Sequence, residues 1–490
     1  MFKLVLIELK KILRKKSVYV MLFIMLLFCF LNNILYYTDY DSDGNYKYLD
    51  SDNIEEEFEL LEGELGKYDI NNISDKSMVV ELKTKIDVLT YKMKYNKGTW
   101  QYNKVDSYLY NVLEGINIYT YQIKDDKYLE EYKNELKSLL DRFECDDWKY
   151  FVELEKVEIE KSISEYEEKI ILISDVKERI KIKEIISGYK NDLNILRYRL
   201  DNNIRYDNSY LNISLTKYID SYNNIRYYED NKENLSYSDK VEYQSIKEEL
   251  EINKYILDNK INYNKQNNLN YQLRTIVDDY LVFIIIIVLI VSSTIMGDEL
   301  VSGTIKLLLI KPYSRGKILL SKYFTIIIVM LLSILYLILI QLVIGGVIFG
   351  FSSLEIPVII YNFNSMSIKE YNIFIYMIIR SIVKIPMIIM IVAISYSISV
   401  LFSNVVISVV IPLFIYIFTD SIKYLILQYK LEILKYLVNI NWEFGEFLFG
   451  KIDGIEGITL EMSIIIYLIY YLVISLITYL NFKNKDIKNI

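Results

Sequence analysis

The chain contains no histidine among its 490 residues, and only two cysteines, four prolines and sixteen glycines. Without imidazole, His-based acid–base catalysis, Ser-His-Asp and Cys-His arrangements and imidazole metal sites are all excluded. Two cysteines supply no disulfide framework. Cys29 falls in an apolar run and Cys145 in a polar region, so no bridge between them is expected. A phosphate-cradling loop is missing too, because the nearest approach, "GDELVSGTIK", has the wrong glycine spacing and no Lys directly after its second glycine. The chain is therefore not expected to be an enzyme, to hold a cofactor or metal, or to hydrolyse ATP alone. The acidic stretch "EEEFELLEGE" reads as a solvated helix face rather than a catalytic carboxylate pair.

Apolar residues, by contrast, make up 52% of the chain and are gathered into long runs. Spans of roughly 17 to 25 apolar residues are long enough to cross a bilayer as helices. Six windows fit: Ser17–Tyr36, Tyr280–Met296, Tyr323–Phe349, Tyr371–Leu401, Val405–Ile422 and Leu460–Leu480. The fourth is long and carries Arg380 and Lys384, which predicts an interfacial first segment with a core from Pro386 onward. The fifth is short and broken by Pro412. No small-residue cleavage site follows the first run, which reads as an uncleaved anchor rather than a signal peptide. The expected class is an all-α integral membrane protein with six transmembrane helices and a large helical extracellular domain between the first two.

Lysine and arginine near span ends set orientation. Residues 1–16 hold Lys3, Lys10, Lys11, Arg14, Lys15 and Lys16; the loop 297–322 holds Lys306, Lys311, Arg315, Lys317 and Lys322; the tail 481–490 holds Lys483, Lys485 and Lys488. With six spans all three segments lie on the cytoplasmic side of a cell membrane, as do both termini. The four lysines of Lys423–Lys451 fall on the expected outside and dissent from this bias. Residues 37–277 carry 49 Asp and Glu against 35 Lys and Arg, a net of −14, leaving +6 for the rest of a chain whose total is −8. A domain this large can be translocated regardless of charge, and its acidity argues against nucleic acid as a partner.

That outer domain has no proline, and helical periodicity runs through it. Phe151, Leu154, Val157, Ile163, Tyr166, Ile170, Ile173, Val176 and Ile180 share the spacing of one helix face, with Gly188 as a stop. A second long helix is expected to start at Asp239, which makes a capping-box pattern with Glu242, and to run toward the second span. Long antiparallel, coiled helices follow. The Asn, Ile, Lys and Tyr bias fits an AT-rich bacterial genome.

The best-punctuated polar stretch of the apolar half is "DELVSGTIKLLLIKPYSRGKILLSKY", Asp298–Tyr323. Asp298 and Glu299 leave the second span beside basic residues. Gly303 turns the backbone, Thr304 is placed to cap a short helix, and Pro312 ends it. That helix, Ile305–Ile310, is nearly all apolar and cannot bury Leu307, Leu308, Leu309 and Ile310 on itself. Ser314 is placed to cap the next helix, with Arg315, Lys317 and Lys322 at the membrane interface. Read alone, the stretch is either a generic basic interfacial turn or a docking element for a cytosolic partner.

Glu299, Gly303-Thr304, the leucine-rich turn, Pro312, Ser314-Arg315 and Lys322 resemble the loop after the second span in the type-2 family of ATP-binding-cassette (ABC) exporter permeases. The resemblance extends to the overall topology. It implies that Glu299, Gly303, Thr304, Leu308, Leu309, Pro312 and Arg315 form a coupling helix seated on a separate cytosolic ATPase subunit. It also implies a second permease protomer, and transport by alternating access. The opening segment "MFKLVLIELKKILRKK" projects Phe2, Val5, Leu6, Leu9, Ile12 and Leu13 to one side of a helix and Lys3, Lys10, Lys11 and Arg14 to the other, as in a helix lying in the headgroup layer. In the family such a helix flanks the ATPase contact. The outer domain departs from the family pattern, being much larger than in minimal permeases.

Other residues carry weaker expectations. Ser395, Ser397, Ser399 and Ser403 read as close helix packing before a substrate path. Arg380 and Lys384 lie four apart and are expected to snorkel outward. Gly345-Gly346 permits a close helix approach. Residues 424–457, with Trp442, Glu443 and Glu446, resemble the family's re-entrant outer helices and stand as a candidate gate. The rival readings are a membrane-anchored receptor whose outer domain binds a peptide or envelope component, and a structural envelope anchor.

Overall fold

A computed structural model describes residues 1–39, 54–69, 72, 75–173, 175–231, 234–263, 268–310 and 313–485, apart from the side chains of Asp39, Leu308, Leu309 and Glu446. Its helices are α1 Phe2–Ile12, α2 Lys16–Asp39, α3 Ile54–Leu65, α4 Lys76–Lys92, α5 Trp100–Asn117, α6 Asp126–Glu144, α7 Trp148–Leu172, α8 Val176–Asp201, α9 Tyr210–Asp230, α10 Tyr237–Asn259, α11 Leu269–Asp279, α12 Leu281–Val301, α13 Ile305–Leu309, α14 Arg315–Phe349, α15 Ile373–Phe402, α16 Val405–Ile417, α17 Thr419–Tyr429, α18 Gly445–Leu448 and α19 Leu460–Asn484. The chain divides into two compact units, one of residues 1–44, 221–255 and 265–490, the other of residues 45–220 and 256–264.

In the first unit, α2, α12, α14, α15 and α19 are long and apolar enough to cross a membrane. The pair α16 and α17 joins them if counted as one broken span, bent by 41°. The bend falls at Phe418, the cap between the two helices, and not at Pro412, which sits inside α16. Pro386 likewise lies inside a continuous α15, so no helix break separates the segment that carries Arg380 and Lys384 from the apolar stretch after it. Proline removes one N–H and leaves the rest of the ladder intact, which a long packed helix tolerates. The central element is α12, apolar on every side and mostly buried among α2, α14, α15 and α16.

Small and polar residues set the closest helix contacts. A Cβ on Gly345 would meet Leu269 Cδ1 at 2.8 Å, so this glycine lets α11 lie against α14. Asn33 and Gln341 exchange amide hydrogen bonds of 2.8 and 2.9 Å between α2 and α14, and the Cys29 thiol donates to the same Gln341 oxygen. Both cysteines are free, Cys29 buried and Cys145 exposed. Ser292 and Ser395 hydroxyls meet at 2.6 Å, and Ser399 donates to the Ser293 carbonyl at 2.8 Å.

One hairpin among the described residues lies outside the all-α expectation: β1 Val358–Asn362 pairs antiparallel with β2 Ser367–Tyr371. Its turn is shaped by Asn362, whose side-chain oxygen accepts from the amides of Asn364 and Ser365.

The second unit has its own core, in which Trp100, Phe143, Trp148 and Phe151 pack with Val105 and Leu109. Its long helices α7 and α8 form an antiparallel pair around Ile163, Ile182, Ile186 and Leu193. The expected continuous face is interrupted. The chain breaks between Leu172 and Val176, where the Asp175 side chain caps α8, while Gly188 stays helical. Val157, Val176 and Ile180 are exposed. Arg199 is buried and donates to the carbonyls of Ile204 and Arg205 and to Asn212 Oδ1.

The helix expected from Asp239 starts earlier, as α10. Ser236 Oγ accepts from the Asp239 amide while Asp239 accepts from the Ser236 amide, so the box is Ser236 with Asp239, not Asp239 with Glu242. It ends at Asn259, before the separate helix α11.

Candidate functional site

The end of α12, the short α13, the start of α14 and the helix α1 come together at one end of the apolar bundle. Gly303 has φ of +69°, a conformation that glycine adopts without Cβ strain, and it reverses the chain after α12. The Thr304 hydroxyl meets that of Ser302 at 2.9 Å. Ile305 is fully buried in the bundle core and anchors α13. Leu307 is 67% exposed and Ile310 80% exposed, so this turn leaves apolar surface uncovered, as expected. Pro312 and the side chains of Leu308 and Leu309 lie outside the described residues. Ser314 caps α14 by accepting from the Lys317 amide, and Arg315 donates to the carbonyls of Phe482, Lys483 and Lys485 on and after α19.

Lys322 departs from expectation. It has no exposed surface, and its ammonium lies 2.8 Å from Glu299, 3.3 Å from Glu8 and 2.9 Å from the Ile295 carbonyl. An ammonium carries three donors, and here three acceptors from α1 and α12 face it. Isolated, so buried a charge would be costly; paired on both sides it ties α14 to α12 and α1. Glu8, the member on α1, went unnoticed in the sequence because it interrupts the apolar face rather than extending the charged one.

The face that α1 buries is therefore Leu4, Val5, Glu8 and Ile12. Phe2, Leu6 and Leu13, assigned to the same apolar side, are exposed. Lys3, Lys10, Lys11 and Arg14 are exposed as expected, and Lys11 also bridges Glu8 at 3.2 Å and Glu299 at 2.9 Å. Burial works to lower the Lys11 pKa, but its hydrogen bond to Glu299 and the charges of both carboxylates prevail and raise it. Lys15 pairs with Asp298 at 2.8 Å. A cavity of about 450 Å³ opens among these groups, lined by Glu8, Lys11, Asp298, Glu299, Thr304 and Leu307.

A second ionic cluster sits at the opposite end of the helices. Arg380 and Lys384 do not snorkel freely: both pair with Asp278 on α11, Lys384 also reaches Glu443 at 3.2 Å, and Lys423 reaches Glu443 at 3.4 Å. Burial works to raise both carboxyls, but Arg380 and Lys384 hold Asp278 below the usual carboxylate range, as Lys384 and Lys423 do for Glu443. Trp442 is buried beside them. The lysines that dissented from the charge bias are largely matched here, Lys435 by Glu432 and Lys451 by Glu248. Ser395 and Ser399 lie fully buried in the α12–α15 contact, and the Glu446 side chain lies outside the described residues.

Among the described residues no cluster of metal-ligating side chains occurs. A family model described as "Protein of unknown function (DUF2705)" matches residues 242–488. The chain is 26% identical over 246 residues to "Uncharacterized protein YhcI" of Bacillus subtilis (strain 168), an alignment covering 50% of this chain and 77% of that relative. No solved structure matches.

Proposed function

The chain belongs to the family described as "Protein of unknown function (DUF2705)", and from its own geometry we propose that it is the membrane-spanning subunit of an ABC exporter. In this reading α16 and α17 complete six spans, both termini and α13 face the cytoplasm, and residues 37–277 are extracellular. A separate ATPase subunit docks on α13, and two permease protomers, alike or different, enclose the substrate path.

The observation that carries the reading is the uncovered apolar face of α13, held out by a buried anchor. Leu307 and Ile310 have no cover within the described chain, while Ile305 fixes the same turn in the bundle core. A partner that closes on nucleotide pushes on this turn, and Ile305 passes the displacement into α12. The Lys322 network carries it onward to α1 and α14. Binding energy shifts a conformational equilibrium only through differential contacts, so the partner must hold α13 differently in its two states.

The test is co-expression with the ATPase encoded beside this chain. Leu307→Asp with Ile310→Asp should abolish its recovery with the solubilised permease, while Leu472→Asn on the exposed face of α19 leaves it intact. Undiminished recovery with the α13 double variant overturns the reading, and a cysteine at Ser302 labelled only from outside intact cells overturns the orientation.

A further inference from the structure

A groove of about 420 Å³ runs along α14, α15 and α19, within the roughly 300–1,000 Å³ of ligand sites. It reaches from Gly316, in the first turn of α14, down to Tyr323, about 10 Å at the helical rise. Ala393 and Tyr396 form its buried floor. The phenols turn their hydroxyls to protein acceptors, Tyr396 to the Leu319 carbonyl at 3.1 Å and Tyr471 to the Tyr323 hydroxyl at 3.2 Å. The walls are thus mostly apolar. Leu320, Leu472 and Leu476 on its lips are 49%, 64% and 57% exposed, so it opens sideways along the apolar spans.

The polar end of the groove is cationic. Lys317 lies one turn before Leu320 on α14, and Lys483 one turn after Tyr479 on α19; both are exposed. Arg315 and Lys485 stand beside them with their donors on backbone carbonyls and the Ser403 hydroxyl. Among the described residues none of these four cations has a carboxylate partner. The contrast with α1 decides the matter: there Lys11, Lys15 and Lys322 are each matched by Glu8, Asp298 or Glu299. Over the groove no described residue supplies a matching anion.

We propose that this groove is a binding site for an anionic phospholipid, one acyl chain lying between α14 and α19 and the phosphate at Lys317 and Lys483. Sideways opening admits a chain directly from a bilayer, and unmatched lysines at the mouth select a negative headgroup over a zwitterionic one.

The full-length protein is purified in mild detergent from cells containing phosphatidylglycerol and phosphatidylethanolamine, and its retained lipid is identified by mass spectrometry. Phosphatidylglycerol should be enriched over the host membrane. Ser475→Trp, which fills the groove from its lip, should lower retained phosphatidylglycerol about tenfold, while Val473→Trp on the other side of α19 leaves it unchanged. Lys317→Gln with Lys483→Gln, which alters charge and no packing, should abolish the enrichment while total lipid persists. The proposal is overturned if Ser475→Trp and Val473→Trp retain equal phosphatidylglycerol, or if the charge variant keeps the enrichment. It is overturned equally if Ser475→Cys crosslinks two chains through the groove, which would make a second copy the occupant.

Discussion

The ammonium of Lys322, which has no exposed surface, lies 2.8 Å from the carboxylate of Glu299. Twenty-three residues separate the two in sequence, yet they face each other because Gly303 reverses the chain between α12 and α14. Glu8 completes the contact from α1. Removing one partner of a buried ionic set costs about 3–5 kcal/mol, because the other charge is stranded. Lys322→Met should therefore lower the unfolding temperature sharply, leaving Glu299 and Glu8 opposed with only Lys11 between them. Lys322→Met combined with Glu299→Gln should recover much of the loss. Thermal unfolding in detergent, followed by size-exclusion fluorescence, reads both; additive losses would contradict the network.

At the opposite end, the Asp278 cluster joins α11 to α15 and, through Glu443, to α17. The carboxyls of Asp278 and Glu443 are held below their ordinary values by adjacent cations. A depressed folded pKa contributes stability that is present above the unfolded value, near 4, and lost as pH falls through the folded one. The stability gap between wild type and Asp278→Asn should stay level from about pH 8 to 5 and shrink only below about pH 4. A gap that closes near neutral pH would mean the carboxyl is not held ionised by Arg380 and Lys384.

Inside the bundle, Asn33 and Gln341 answer each other's amides. Such pairs in membrane proteins couple by about 0.6 kcal/mol on average and up to about 1.7 kcal/mol. A double-mutant cycle of Asn33→Leu and Gln341→Leu should give a coupling within that range. A coupling of zero would show that α2 and α14 are held by packing alone.

In the other unit, Arg199 satisfies two backbone carbonyls and Asn212 from a buried position. Each acceptor left unpaired costs about 1–3 kcal/mol. Arg199→Leu should open residues 202–209 to limited proteolysis while α4 to α6, on the far side of that core in sequence, remain protected. Cleavage unchanged from wild type would sink this account.

The apolar runs alone determined the class of this protein, since 17 to 25 apolar residues bury themselves in a bilayer whatever their neighbours are. Local chemistry also settled the turn after α12: Gly303 at positive φ and Ser314 as a cap act within a few residues. The same locality explains what went astray. Pro412 suggests a break in the fifth run, yet it lies inside α16, because one removed N–H matters less than the packing around it. Gly188 was read as a stop, yet the capping carboxylate of Asp175 set the reversal instead.

What only the tertiary structure decided is which charges meet. Lys322 and Lys317 sit five residues apart on one helix with the same basic character, and sequence gives them the same interfacial role. Folding buries the first against Glu8 and Glu299 and leaves the second exposed above an apolar groove, because the electrostatic worth of a charge depends on distances and burial set by separate helices. Glu8, Asp278 and Glu443 acquire their meaning in the same way, from partners tens or hundreds of residues distant.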